Sequence, residues 1–443
     1  MKGCYFKRTF TALAFLVTAA FFGGCREDNS PSNPGDPLTM IAVISDPHSY
    51  DLSLGHSGLA WQQYLMSDRK LLDENEAIFD AFIKEMKCNR AIKVVLVCGD
   101  MTKDGEASSH SKMAGKLREI EKTGKRVYVI PGNHDVSNPF SRSYHTDLSE
   151  PAPNITAAQF ASIYDDFGYK EAIARDPNSL SYVVEPAPGV WIIAMDAARY
   201  RENTSTTLVH DGKFYPETLA WIKQKLTEAK CKGKRVIGFM HHGMIEHFTG
   251  QKSLSVSAEY VIDDWNIVAP QLAGLGLRLV FTGHFHANDV TALSSGGNTI
   301  FDVETASLIG YPSSYRVVGL MKNGMVNIWT KLIQTIDYPI PGGLTFQLYA
   351  EQEIRAGMTG LAAYILEGSF GLPHAQALYL APFVGDAFVR HYKGDETIPP
   401  DTQAVIAMLK SDPASAPLGY ALESMLTDLA PPDNCVSLNI PFN

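Results

Sequence analysis

Cationic side chains are in short supply in this chain. Its 443 residues carry 38 Lys and Arg against 48 Asp and Glu, a formal charge of −10. A surface of that sign argues against a protein held to nucleic acid by phosphate contacts. Cysteine is sparse too, at six residues. No pair has CxxC or zinc-finger spacing, which argues against a thiolate-bound zinc or a CxxC redox motif. No repeat of fixed period is present, so a solenoid or propeller is not indicated. What remains is ordinary: an apolar fraction of 45% and enough length for one large domain or two to three smaller ones.

The first 24 residues read as an export signal. Lys2, Lys7 and Arg8 make a basic start, and Thr9–Phe22 is an apolar run short of the roughly 20 residues that span a bilayer as a helix. Phe22-Gly23-Gly24-Cys25 resembles a bacterial lipobox, with Phe22 where an aliphatic residue is usual. Cleavage there makes Cys25 a lipidated N-terminus and the product a membrane-anchored lipoprotein of the bacterial envelope, periplasmic or cell-surface. It also removes three bases and no acid, so 35 bases then face 48 acids and the charge falls to −13. Residues 25–37 are rich in Pro, Ser, Asn and Gly and read as a disordered tether. Cys98 lies inside an apolar run and reads as a buried small hydrophobe. Cys88 and Cys231 are candidates for pairing in an oxidising compartment.

Strand-like runs recur at Met40–Ile44, Val94–Val97, Val127–Ile130, Trp191–Met195, Val236–Met240 and Leu279–Phe281. Helix-like segments alternate with them: Glu74–Lys87, His110–Lys122 and Pro216–Ala229 have apolar residues at three- and four-residue spacing. That alternation predicts an α/β domain. Short strands follow at Asp289–Leu293, Thr299–Val303, Tyr315–Met321 and Met325–Ile333, and are assigned to a second sheet. Beyond the Pro/Gly break at 339–343 the pattern turns helical, with candidates at Gln352–Glu367, Ala375–Tyr392, Asp401–Leu409 and Tyr420–Leu429. The expected organisation is a signal peptide (1–24), a tether (25–37), a catalytic domain (38–340) and a helical C-terminal region (341–443). That last region carries no motif of chemical interest and reads as a stability element.

Five segments place metal-binding side chains just after apolar runs: Asp46-Pro47-His48, Gly99-Asp100, Gly132-Asn133-His134-Asp135, His241-His242 and Gly283-His284-Phe285-His286. In α/β sheets such strand ends gather distant residues onto one edge. The set of carboxylates, imidazoles and one amide suits a two-metal hydrolytic centre. The glycines at 99, 132 and 283 read as sharp turns away from strands. Asp100, which stands alone in its segment, is the natural bridge between two cations. Any one segment alone is a turn or a satisfied core residue as often as a site; five in this order are not.

The order D-x-H, GD, GNHD, H, GHxH is similar to the calcineurin-like metallophosphoesterase superfamily, over roughly residues 38–335. The resemblance implies a two-layer β-sandwich flanked by α-helices. It also implies that Asp46, His48 and His286 bind one metal ion, that Asn133, His241 and His284 bind a second, and that Asp100 bridges them. Two ions of Fe, Zn or Mn are the implied cofactors. His134 matches the catalytic histidine, with Asp135 expected to orient it. Gly243-Met244 stands where many relatives have prolines. Thr102-Lys103-Asp104-Gly105-Glu106 resembles a version common among phosphodiesterase-like members. The expected activity is hydrolysis of a phosphodiester, small or lipid-derived, by metal-activated water. Alternatives are a phosphomonoesterase, a nuclease, and a cell-surface binding protein whose metal site is structural. Asp196 reads either as a partner of a ligand or as a strand-end turn. His56, His110, His210, His247, His374 and His391 read as ordinary histidines away from the chemistry.

Overall fold

The computed structural model describes residues 37–67 and 69–441. The export signal, Cys25 and the tether up to residue 36 lie outside the described residues, while Pro37 already opens the first strand. In chain order the elements are β1 (Pro37–Ile44), α1 (Leu59–Ser67), α2 (Asn75–Cys88), β2 (Ile92–Cys98), α3 (Ala107–Glu121), β3 (Arg126–Ile130), β4 (Arg142–Ser143), β5 (Glu150–Pro151), α4 (Ala157–Ile163), β6 (Ala174–Arg175), β7 (Tyr182–Ala187), β8 (Val190–Ala194), α5 (Pro216–Cys231), β9 (Arg235–Phe239), α6 (Trp265–Gly274), β10 (Leu279–Thr282), β11 (Asp289–Ser295), β12 (Asn298–Glu304), β13 (Ser314–Met321), β14 (Met325–Leu332), α7 (Phe346–Gly368), α8 (His374–Lys393), α9 (Pro400–Ser411), α10 (Ala416–Met425) and β15 (Cys435–Asn439).

Two sheets form the centre of the α/β fold. One has the order β15-β14-β13-β1-β2-β3 and the other β11-β12-β10-β9-β8-β7-β6. In the first, β1, β2 and β3 are parallel, with Ile41 opposite Val94 and Val95 opposite Val127. In the second, β8, β9, β10 and β12 are parallel. Apart from β12, these strands are buried on both faces over most of their length, which is why they read as apolar runs rather than as alternation. Helices cover them with one apolar stripe each. On α2 that stripe is Ile78, Phe79, Phe82, Ile83 and Met86. A hydroxyl crosses between the sheets: Tyr182 of β7 donates to the Val129 carbonyl of β3 at 2.8 Å.

The strands after residue 288 divide between the sheets. β11 and β12 join the second sheet as expected, but β13 and β14 return to the first, with β13 antiparallel to β1. The hydrophobic pattern sets which face of a strand is buried and does not choose its neighbour.

The C-terminal helices share the main core. Phe346, Ala350, Ile354 and Met358 of α7 pack into it, and only Ala362 and Leu366 turn to a smaller core with α8, α9 and α10. The region also returns a strand that its pattern did not announce. β15 pairs with β14, with Val436 and Leu438 buried and their neighbours exposed. Five residues behind two prolines are too short a signal to stand out. Cys98 is buried, as read; Cys231 is a free, exposed thiol, so it has no bond to Cys88. No helix among the described residues is long and apolar enough to cross a membrane.

Candidate metal centre

All seven expected ligands leave the carboxyl ends of parallel strands. Asp46 and His48 follow β1, Asp100 follows β2 and Asn133 follows β3 on one sheet. His241 follows β9, and His284 and His286 follow β10, on the other. Backbone hydrogen bonds lace these ends together. His48 N–H donates to the Asp100 carbonyl at 2.9 Å, and Gly283 N–H to the His241 carbonyl at 2.9 Å. The turns are strained. Asp46, His48, Asp100, His284 and His286 all have positive φ, between 35° and 75°, a region costly for residues with a Cβ and typical of functional sites.

Two groups of donor atoms result. In the first, Asp46 Oδ1 lies 3.2 Å from His286 Nε2 and 3.6 Å from His48 Nε2, and the two imidazole nitrogens are 3.3 Å apart. In the second, Asn133 Oδ1 lies 2.9 Å from His241 Nε2, and His284 joins Asp100 and His241 with donor atoms all within 4.8 Å. Asp100 Oδ2 belongs to both: it is 3.6 Å from His48 Nε2 and 3.4 Å from His241 Nε2. The other oxygen, Oδ1, is taken by the His134 N–H at 2.9 Å.

The residues fit a pair of cations. Asp46 Oδ1 and His284 Nε2 are buried with no hydrogen-bond partner, and buried polar atoms without partners are costly. His241 donates through Nδ1 to the Cys98 carbonyl at 2.8 Å, which leaves Nε2 as the ligand nitrogen. The electrostatics agree. Burial opposes ionisation of Asp46 and Asp100, yet the imidazoles, His286 for the first and His241 for the second, hold both carboxyls well below the usual range. Burial also disfavours a proton on His241, but Asp100 and Asp46 push it up to about 10. Burial, then the charge of Lys70, brings His48 down to about 4.

Two of the three glycines serve a purpose other than the expected one. Gly99 does take a positive φ of 89°. Gly132 and Gly283 do not; they are small because functional atoms crowd them. A Cβ on Gly132 would sit 2.1 Å from Asp100 Oδ1, and one on Gly283 would sit 1.7 Å from Ser45 Oγ.

His134 stands beside the second group with its Nε2 4.0 Å from Asp100 Oδ2. The expectation that Asp135 orients it is corrected. The Asp135 carboxylate points back under the loop and accepts from the backbone N–H groups of Met101, Thr102 and Gly132. It is a buried brace, pushed up to about 7 by burial and then by Asp100. The partner of His134 is Asp104, with Nδ1 and Oδ1 2.9 Å apart. Asp104 in turn meets Lys103 Nζ at 2.5 Å and the Tyr64 hydroxyl at 3.2 Å. Lys103 is fully buried, 4.3 Å from the Tyr64 ring centroid and 3.0 Å from Glu106 Oε1. A lysine is buried only when paired this way. That pairing was invisible in Thr102–Glu106 as a string.

His210, read as ordinary, belongs to the site. It accepts from Asn133 Nδ2 at 3.0 Å and lines a cleft of about 310 Å³ over the centre. Tyr64, Arg69, Lys70, Glu259 and Tyr260 complete that cleft. No local motif marks His210; it arrives on a loop. His242 turns away and donates to the His210 carbonyl at 2.8 Å, so the first histidine of the pair is the ligand candidate. Asp196 is a strand-end turn, accepting from Leu180 N–H and the Tyr200 hydroxyl. His110 is buried beneath the loop, against Asp135 and Tyr164. His247 and His391 are buried as well, away from this centre.

A family model described as calcineurin-like phosphoesterase matches residues 39–288. Among solved structures, this chain is similar to a dimetal phosphatase from Danio rerio, at 14% identity over 70% of this chain and 99% of that one, with a TM-score of 0.46. It is also similar to a purple acid phosphatase from yellow lupin seeds, at 8% identity over 70% of this chain and 54% of that one, with a TM-score of 0.41. No curated protein matches it.

Proposed function

The chain belongs to the calcineurin-like phosphoesterase family, and on that premise we infer that it hydrolyses phosphodiesters at a centre of two metal ions. The observation that carries this reading is the position of Asp100 Oδ2, within 3.6 Å of a donor atom from each group. One carboxylate oxygen shared by two ligand sets is what a pair of cations needs and what two unrelated turns do not produce. Fe, Zn and Mn all accept this mixed set of nitrogen and oxygen donors.

Bound ions would supply Lewis acidity to a water and to the phosphate oxygens. The rest falls to the chain. His48, Asp100, His284 and His286 of the two ligand groups line the cleft, so a phosphoester bound there would sit over them. His134 presents Nε2 to that cleft while Nδ1 is held by Asp104, so a protonated imidazole donates to the departing oxygen. Asp100 and Asp104 keep the proton on His134 by raising its pKa against the effect of burial. Arg69 and Lys70 line the cleft wall and add positive potential for an anionic substrate. The preference for diesters rests on two supports. The cleft extends past the ligand groups to Tyr64 and Tyr260, with volume for a second substituent on phosphorus. The Thr102–Glu106 segment also resembles the phosphodiesterase-like version of its block.

The test is turnover of bis(p-nitrophenyl) phosphate against p-nitrophenyl phosphate by the purified chain, with Mn²⁺ or Zn²⁺ and with a chelator. Metal-dependent turnover favouring the diester is expected. A monoester preference would move the assignment to phosphatase, and metal binding without turnover would favour a structural site. The proposed setting is the bacterial envelope, with the lipid on Cys25 as the membrane link and a small or lipid-derived phosphoester as substrate.

A further inference from the structure

A second set of buried ionisable groups lies behind the ligand loop and plays no part in the chemistry above. Phe285, between His284 and His286, packs its ring 5.2 Å from that of His391 on α8. His391 Nδ1 is 2.6 Å from Glu396 Oε1 and 3.8 Å from Asp289 Oδ2. Asp289 opens β11, three residues past His286, and meets His247 Nδ1 with its other oxygen at 2.7 Å. Asp289, His391 and Glu396 are 2%, 1% and 7% exposed. One donor atom from each lies within 4.8 Å of the others.

Two observations point to a ligand here. Glu396 Oε2 and His391 Nε2 are buried without any hydrogen-bond partner. The surroundings also hold more negative than positive groups. Asp289, Asp302, Glu304, Glu396 and Asp433 are all buried, facing His247, His391 and Arg316. Five carboxyl groups meet three bases there, and burial pushes Glu304 and Asp433 up to about 8. Asp302 and Asp433 are steadied by backbone N–H groups of Met244, Ile245, Val290 and Asp395. Arg316 turns its two terminal nitrogens to the Glu304 and Asp433 carbonyls and to Thr330, while its Nε has no hydrogen-bond partner. Asp289 and Glu396 are left with one imidazole each, His247 and His391, and Glu396 Oε2 with no partner at all, which is unfavourable for a buried carboxylate oxygen.

We propose that Asp289, His391 and Glu396 hold a third divalent cation, which ties the end of α8 to the strand that follows the ligand loop. One imidazole with two carboxylates suits Zn²⁺ or Mn²⁺ better than Ca²⁺, which prefers all-oxygen sites. Gly394, at φ 80°, turns the chain so that Glu396 comes back to His391. The ion would brace the helical region against Phe285 and so against the two histidines flanking it. This role is structural and separate from the two-metal centre.

The experiment is metal content per chain, by mass spectrometry of the purified full chain after dialysis, for the wild type, Glu396→Gln and Asp100→Asn. Three equivalents are expected in the wild type, two in Glu396→Gln and one in Asp100→Asn. Two in the wild type, unchanged in Glu396→Gln, would overturn the third site and leave the two-metal reading standing. One equivalent that is lost in Glu396→Gln and kept in Asp100→Asn would uphold this site and overturn the two-metal reading. Should Glu396→Gln fail to fold, anomalous scattering from wild-type crystals at the metal edge decides. A peak among Asp289, His391 and Glu396 supports the site, and its absence there refutes it.

Discussion

His134 Nδ1 and Asp104 Oδ1 lie 2.9 Å apart, and the opposite oxygen of Asp104 is held by the buried Lys103 ammonium. The pairing fixes which ring nitrogen of His134 faces the cleft. It also makes Asp104 a positioning residue, acting on the substrate only through His134. In Asp104→Asn we expect metal content and KM to stay and kcat to fall roughly tenfold to a hundredfold, the range for losing a group that orients a functional side chain. Asp104 helps raise the His134 pKa, so the alkaline limb of the pH profile should move to lower pH. A fall in kcat with no movement of that limb would assign Asp104 to folding instead.

His134→Ala should keep both metal ions and lose about 10²–10⁴-fold in turnover, as for a lost general acid. Metal analysis beside the assay separates this from a ligand role. If the ions leave with the imidazole, His134 coordinates.

Gly132→Ala should damage the centre although alanine carries no chemistry. The new methyl would meet Asp100 Oδ1 and N, at 2.1 and 2.5 Å. Overpacking of this kind costs about 1–3 kcal/mol, and here the atom displaced is the oxygen that holds the His134 N–H, on the same carboxylate whose other oxygen is shared by the two groups. Lower metal content and a lower denaturation midpoint are expected together. An unchanged midpoint with full metal would show that the loop relaxes.

His110 predicts an acid sensitivity. Burial brings it down to about 3, against a Coulomb-neutral pocket of Tyr164, Thr102 and the Asp135 carbonyl. Its folded pKa lies below the ordinary value near 6.5, so between these values the unfolded chain binds the extra proton. Stability is full above about pH 6.5 and declines as pH falls toward 3. Between pH 7 and pH 5 this one group removes about 2 kcal/mol. Urea unfolding of His110→Gln at both pH values should show a loss smaller by that amount. Equal losses in the two proteins would mean that His110 is not held neutral.

Cys25→Ala should abolish incorporation of a fatty-acid analogue by cells expressing the chain and release it from the membrane fraction. Continued labelling would refute the anchor.

Much of the centre could be read along the chain because each ligand sits within a few residues of a strand end, and an apolar run marks a strand end locally. Asp46, Asp100, Asn133, His241 and His284 all carry that mark. His210, Asp104 and Lys103 do not. His210 is brought in by a loop between β8 and α5, and nothing in its neighbours distinguishes it from a surface histidine. Asp104 replaced Asp135 as the partner of His134 because adjacency in sequence says little about direction. Asp135 follows His134 but turns beneath the loop to satisfy three backbone N–H groups.

The same division holds for the fold. Helical periodicity located α2, α3, α5 and the four C-terminal helices, and apolar runs located the parallel strands, because burial of one face or of both is written at fixed spacing. Which sheet a strand joins is not written that way. β13 and β14 went to β1, and β15 closed that sheet from a region read as helical, since backbone hydrogen bonds are the same whatever the side chains. The order and kinds of residues determined that metal ligands would gather at strand ends. Only tertiary packing decided that Asp100 would face both groups, that a buried lysine would stand behind the histidine's partner, and that Asp289, His391 and Glu396 would meet from distant parts of the chain.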